Sequence, residues 1–165
     1  MKNIFKLIIL IYICTAKAET IDALVIKVAD GDTITILDEQ KKTHKIRLQG
    51  IDAPEKKQAY GEKSKQNLAF LIYNKMIHVE YSKYDKYGRI IGKVSLKGQD
   101  ICLEQLTKGM AWHYKKYQSE QASHDRELYS STEIKARDLK IGLWNDVQPT
   151  TPWDFRKNNL ILHVK

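Results

Sequence analysis

The sequence predicts an α+β fold: a five-stranded, partly open β-barrel carrying three α-helices. Two patterns predict it. Five short runs rich in β-branched and aliphatic residues, some alternating strictly with polar ones, lie three before and two after a single helical stretch. Helical periodicity then dominates the second half, with Asp, Gly and Pro at the junctions. Small barrels bury alternate residues of each strand, which suits the Ile/Val/Leu alternation.

The first hairpin is "ALVIKVADGDTITIL", Ala23 to Leu37, which turns at Asp30-Gly31. An Asp-Gly pair between alternating runs is a strong hairpin signal. In its second arm Ile34 and Ile36 share one face and Thr33 and Thr35 the other. After the polar "DEQKK", "THKIRLQGI" forms a third strand, with Ile46 and Leu48 opposite Arg47 and Gln49, and Pro54 ends the run. A helix follows from about Ala59 to Asn74, with Ser64, Leu68, Leu71 and Ile72 on one face. "MIHVEYS" and "RIIGKVSL" are strands four and five. Asp100 caps a short helix over Ile101 to Lys108 that stops at Gly109. A third helix runs from near Glu120 to Lys140, its stripe made by Leu128, Thr132, Ala136 and Leu139. The tail from Gly142 reads as irregular, anchored by Trp144 and Trp153. Three strands, a helix and two strands is the order of an OB-fold, an architecture often used for oligonucleotides.

The chain has 165 residues, a length suited to one domain with a real core. Residues 1–18 read as a signal peptide. Lys2 and Lys6 form a basic start, Leu7 to Ala16 an apolar run too short to span a bilayer, and Ala16-Lys17-Ala18 a cleavage site before Glu19. The alternative is an uncleaved N-terminal anchor. Processing would leave a single domain over 19–165, secreted or periplasmic and no longer tied to a membrane. Loss of three lysines would leave 25 basic against 20 acidic residues, a net charge of +5 instead of +8, which still favours polyanionic partners. Cys102 alone would remain of two cysteines, which excludes an intramolecular disulfide and a cysteine-based zinc site. The five histidines are scattered without ligand spacing and receive no role.

Two acidic turns carry the chemistry: "ADGDT" with Asp30 and Asp32, and "GIDAPE" with Asp52 and Glu55. Carboxylates gathered at neighbouring strand ends make a hard-oxygen pocket suited to Ca²⁺ or Mg²⁺. Both turns are also ordinary turn chemistry, most plainly at Asp30. Arg47 lies on the strand face away from Ile46 and Leu48, and Arg89 opens the fifth strand. Guanidinium groups are always charged and grip phosphate bidentately. Lys86, Tyr87, Tyr114, Lys115, Lys116 and Tyr117 interleave cations with aromatic faces, the pattern of a groove for single-stranded nucleic acid.

With these residues in hand, the chain resembles the thermonuclease family, the staphylococcal or micrococcal nuclease-like proteins. "VADGDTITI", "IRLQGIDAPE", "DKYGRIIGKV" and "GLW" occur in the family's order, from about Leu24 to Trp144. The resemblance implies a Ca²⁺-dependent phosphodiesterase acting on DNA and RNA; single-stranded or unpaired regions are the expected preference and a monomer the expected state. It implies Asp32 and Asp52 as calcium carboxylates, with the backbone carbonyl of Ala53 as a third protein ligand. It implies Arg47, Glu55 and Arg89 as the catalytic set and Tyr114 and Tyr117 as base-stacking residues, to which the interleaved cation and aromatic pattern adds Lys86, Tyr87 and Lys116 as substrate contacts. Family members often have Thr where Ala53 stands, a change to which a carbonyl ligand is indifferent. A noncatalytic nucleic-acid-binding barrel is the alternative, and a protein or oligosaccharide binder a weaker one.

Overall fold

The computed structural model describes residues 18–162. Apart from Ala18, the expected leader lies outside the described residues.

Five strands close a barrel: β1 (Glu19–Val28), β2 (Thr33–Asp38), β3 (Thr43–Leu48), β5 (Met76–Tyr84) and β6 (Ile90–Leu96), with β4 (Ile51–Asp52) a short strand outside it. The sheet runs β3-β2-β1-β5-β6 in antiparallel pairs, and a parallel β3–β6 pairing joins its ends. The registers Ile34↔Ile46 and Val79↔Val94 set inward-facing residues side by side. Register shifts between Val25 and Lys27 and between Tyr81 and Lys83 bend the two longest strands, as closure of a small barrel requires. Ala23, Val25, Ile34, Ile36, Ile46, Leu48, Val79, Ile90 and Val94 fill the interior.

Helix α1 (Gly61–Ile72) lays Ser64, Leu68 and Ile72 on that core, with Leu71 partly buried beside them. After β7 (Gln99–Asp100), α2 (Ile101–Thr107) is capped by the Asp100 carboxylate, which accepts from Leu103 N–H at 3.0 Å. Cys102 on α2 is fully buried, and burial pushes its thiol up to about 12, so it serves as a small core residue. Strand β8 (Trp112–His113) pairs antiparallel with β4, setting Asp52 opposite Trp112.

The second half departs from expectation in two places. Helix α3 (Ser123–Asp138) buries Tyr129, Glu133 and Ala136, whereas Leu128 and Leu139 are 37 % and 60 % exposed. Hydrogen bonds decide this face. Tyr129 Oη donates to Asp100 Oδ2 at 2.8 Å, and the Glu133 carboxylate accepts from His113 N–H at 2.9 Å and from Lys115 Nζ at 2.7 Å. An amphipathic Tyr and a paired Glu are therefore buried where a purely apolar pattern points to neighbouring positions.

The tail is not irregular. A 3₁₀ turn (Gly142–Asn145) precedes a fourth helix, α4 (Pro152–Leu162), beyond the three expected. Its start is locally encoded. Pro152 is the first helical residue, and Thr151 Oγ1 accepts from Asp154 N–H at 3.2 Å while donating to Asp154 Oδ2 at 2.6 Å. Trp144 and Trp153 do anchor the segment, both edge-on to Trp112 with ring centroids at 4.3 and 5.8 Å.

His113 acquires a role that its sequence position did not suggest. It is 1 % exposed, and its Nε2–H donates to Gln121 Oε1 at 2.8 Å, because an amide oxygen can only accept. Nδ1 is buried without a hydrogen-bond partner among the described residues. Burial holds its pKa below the ordinary 6.5, against the opposing pull of Gln121 and Glu133. The unfolded chain therefore binds a proton here more readily than the folded one. Stability contributed by this group is present above the unfolded value and is lost as pH falls from there toward the folded value, by about 1.4 kcal/mol per unit of depression. Urea midpoints measured above and below that window should drop more on acidification in the wild type than in His113→Gln. Equal drops would remove His113 as a source of acid sensitivity.

Candidate active site

The turn between β1 and β2 places the first acidic pair. Gly31 makes the turn possible by close approach, since a Cβ there would overlap the Ser64 hydroxyl on α1. Gln105 Nε2 donates to Gly31 O at 2.6 Å and pins the turn from α2. Asp32 then points across to the residue after β4, where its Oδ2 accepts from Ala53 N–H at 2.7 Å. Its backbone oxygen accepts from Leu48 N–H at 2.8 Å, which ties the turn to the end of β3.

Arg47 lies across from Thr33 in the β2–β3 ladder and reaches over the barrel rim. Its Nη1 lies against Asp32 Oδ2, and its Nη2 donates to Asp52 Oδ1 at 2.7 Å. Asp52 is 1 % exposed. Burial disfavours the charged guanidinium, but Asp32 and Asp52 overcome it and raise the Arg47 pKa. Burial raises the Asp52 pKa in spite of the arginines beside it. Asp30 is pushed up to about 6 by burial and then by repulsion from Asp32.

Glu55 follows Pro54 on the loop leading to α1. Its N–H donates to Gln58 Oε1 at 3.0 Å, and Gln58 Nε2 donates to Thr150 O at 2.6 Å, so the loop is strapped to the C-terminal segment. The Glu55 side chain is 38 % exposed and is met by Arg156 of α4 at 2.6 Å. Arg156 also donates from Nη2 to Asp52 Oδ2 at 2.7 Å. Sequence reasoning missed Arg156; the cue was the helix-start signal "TPWD" just before it.

Arg89 enters from the loop between β5 and β6. Its Nε donates to Asp85 Oδ2 at 2.7 Å, and its guanidinium lies 5.6 Å from the Tyr87 ring centre. Asp85 Oδ1 accepts from the N–H groups of Tyr87 and Arg89, both at 2.9 Å, which folds the loop around the carboxylate.

These elements enclose one cleft of about 570 Å³, lined by Asp32, Arg47, Asp52, Ala53, Glu55, Lys86, Tyr87, Arg89, Tyr114, Tyr117 and Arg156. Lys116 is the one expected site residue outside it. It lines an adjoining cavity of about 360 Å³ with Lys115 and Arg137, and its ammonium lies 5.6 Å from the Tyr117 ring centre. Tyr87 is 72 % and Tyr117 43 % exposed, so both offer open aromatic surface. Tyr114 differs: Trp153 stacks on it at 5.7 Å and Tyr117 meets it edge-on at 5.1 Å.

Among the described residues no cluster of three or more His, Cys, Asp or Glu side chains is arranged to hold a metal ion. The donor chemistry nevertheless fits a hard cation. Asp32 and Asp52 line the cleft with oxygens now engaged by Arg47 and Arg156, and Asp30, Glu55, Asp85 and Glu120 bring the carboxylates there to six against the three guanidiniums of Arg47, Arg89 and Arg156. A site with Asp32 and Asp52 as its two carboxylate ligands would be completed by backbone carbonyls and water, which Ca²⁺ accepts readily.

The family model for the staphylococcal nuclease homologues matches residues 45–146. Curated relatives agree. An uncharacterized endonuclease of Haemophilus influenzae is 42 % identical over 137 residues, covering 83 % of this chain and 74 % of its own length. An uncharacterized endonuclease of Escherichia coli is 35 % identical over 94 % of this chain and 98 % of its own. A micrococcal nuclease of Shigella flexneri is 34 % identical over 81 % and 79 %. With a closed barrel, this cleft and these relatives, the chain belongs to the staphylococcal nuclease homologue family and is a nuclease.

Proposed function

We propose that the protein is an exported, Ca²⁺-dependent, sugar-nonspecific nuclease, a single-domain monomer over residues 19–165 that hydrolyses phosphodiester bonds of DNA and RNA. The observation that carries this reading is the convergence of Arg47, Arg89 and Glu55 with Asp32 and Asp52 on one cleft. Among the described residues no helix is long and apolar enough to cross a membrane, which is compatible with release after leader removal.

Phosphodiester hydrolysis gathers charge on the equatorial oxygens of a five-coordinate phosphorus. Arg47 and Arg89 carry the fixed positive charge for those oxygens, and preorganised donors of this kind are the largest single contribution in many enzymes. Both are engaged by carboxylates here, Arg47 by Asp32 and Asp52 and Arg89 by Asp85, so the substrate phosphate competes for donors already aimed into the cleft. Glu55 orients the attacking water and accepts its proton. Arg89 also stabilises the departing oxygen. Asp32, Asp52 and the Ala53 carbonyl would hold Ca²⁺, which when bound supplies Lewis-acid polarisation of the phosphoryl group. Lys86 and Lys116 bind neighbouring phosphates, and Tyr87, Tyr114 and Tyr117 stack unpaired bases.

Plasmid DNA and RNA are each incubated with the protein in Ca²⁺, in Mg²⁺ and in chelator. Cleavage of both polymers is expected in Ca²⁺, with little in Mg²⁺, which demands near-octahedral order, and none in chelator. Equal turnover with the two ions would refute the calcium assignment. Binding without cleavage under every condition would favour the noncatalytic alternative.

A further inference from the structure

Helix α4 delivers one guanidinium to two carboxylates far from it in sequence. Arg156 Nη1 donates to Glu55 Oε1 at 2.6 Å and, at 3.2 Å, to Asp52 Oδ1, while Nη2 donates to Asp52 Oδ2 at 2.7 Å. Asp52 does not need this second cation for its charge alone, because Arg47 already donates to its Oδ1. Glu55 has the greater need. It is a long side chain on a loop, partly in solvent, and its backbone bond to Gln58 fixes the main chain without fixing the carboxylate. An exposed ion pair adds little to stability, so the Arg156–Glu55 contact has no strong folding rationale.

We propose that Arg156 is a positioning residue for the nuclease reaction: it bridges Glu55 to Asp52, so that the carboxylate that receives the water proton is held in one place. The inference rests on the nuclease reading above. It extends the working site beyond residue 146, where the family match ends. Arg156 engages Oε1, and in this proposal Oε2 is assigned to the water. The helix is itself well located. Trp153, three residues earlier and hence on the same helical face, stacks on Tyr114 and meets Trp112 edge-on. The Gln58–Thr150 bond ties the start of this segment to the Glu55 loop.

The test compares wild type, Arg156→Ala and Arg156→Lys. The readouts are kcat and KM on a single-stranded oligonucleotide, oligonucleotide affinity by fluorescence anisotropy in chelator, and the urea midpoint. Arg156→Ala should lower kcat about ten- to a hundredfold, the usual scale for losing a group that orients a reacting one, with KM and metal-free affinity little changed. Arg156→Lys should stay low, because a point charge cannot bridge two carboxylates as a planar fork does. Guanidinium ion at non-denaturing concentration should restore part of the kcat of Arg156→Ala, and methylammonium should not. Wild-type kcat in Arg156→Ala would overturn the proposal. So would faster turnover, which would make α4 a plug, or a loss that follows the unfolded fraction and resists guanidinium. A wild type that binds but never cleaves would instead remove the nuclease reading, and this inference with it.

Discussion

Arg47→Ala should be the most damaging single substitution in the cleft, reducing stability and turnover together. Arg47 is the shared partner of Asp32 and Asp52, whose side chains are 8 % and 1 % exposed. Removing one member of a buried ion pair costs about 3–5 kcal/mol, because the other charge is left without compensation. Arg156 still covers Asp52, so the loss falls mainly on Asp32 and should lie toward the lower end of that range. Even so, it is a large part of the roughly 5–15 kcal/mol that holds a typical domain together. Arg47→Lys keeps a charge but not the fork, and its urea midpoint should fall between wild type and alanine. Turnover, compared where each variant is fully folded, should fall at least about a hundredfold in Arg47→Ala, the scale of one lost preorganised donor. An alanine variant as stable as wild type would show that the Asp32–Arg47–Asp52 cluster contributes nothing net.

Glu55→Gln should separate chemistry from folding. The side chain is 38 % exposed, and glutamine keeps an oxygen to accept from Arg156, so the urea midpoint should stay close to wild type. Turnover should fall about 10²–10⁴-fold, the range for losing a general base, while oligonucleotide affinity is retained because lysines carry the phosphate contacts. Cleavage at the wild-type rate by Glu55→Gln would take the proton-accepting role away from Glu55.

How much of this was legible in the chain depends on the distance over which each signal acts. The strand alternation, the Asp30-Gly31 turn, the Pro54 stop and the Asp100 cap are contained within a few residues, and the barrel and its first two helices followed from them. The gathering of Asp32, Arg47, Asp52, Glu55 and Arg89 on one cleft was also readable, because strand order and side-chain alternation bring their turns to one rim and the family motifs mark the same residues. On helix α3 the expected stripe holds at Ala136, but Leu128 and Leu139 are exposed. Its buried Tyr129 and Glu133 are specified by Asp100, His113 and Lys115, which come from other elements.

By itself, then, the sequence determined the class of fold, the strand order and the residue types at the cleft, since local periodicity and turn chemistry dictate these. The tertiary structure alone decided that all three catalytic candidates are already paired, Arg47 with two aspartates, Arg89 with Asp85 and Glu55 with Arg156. It also decided that Tyr114 lies under Trp153. Asp52 and Arg156 are 104 residues apart in the chain. No pattern of apolar spacing encodes such a contact. It exists because "TPWD" starts a helix and Trp153 packs that helix against Tyr114 and Trp112, and the energy of that packing, felt only in the folded chain, sets where the guanidinium ends up.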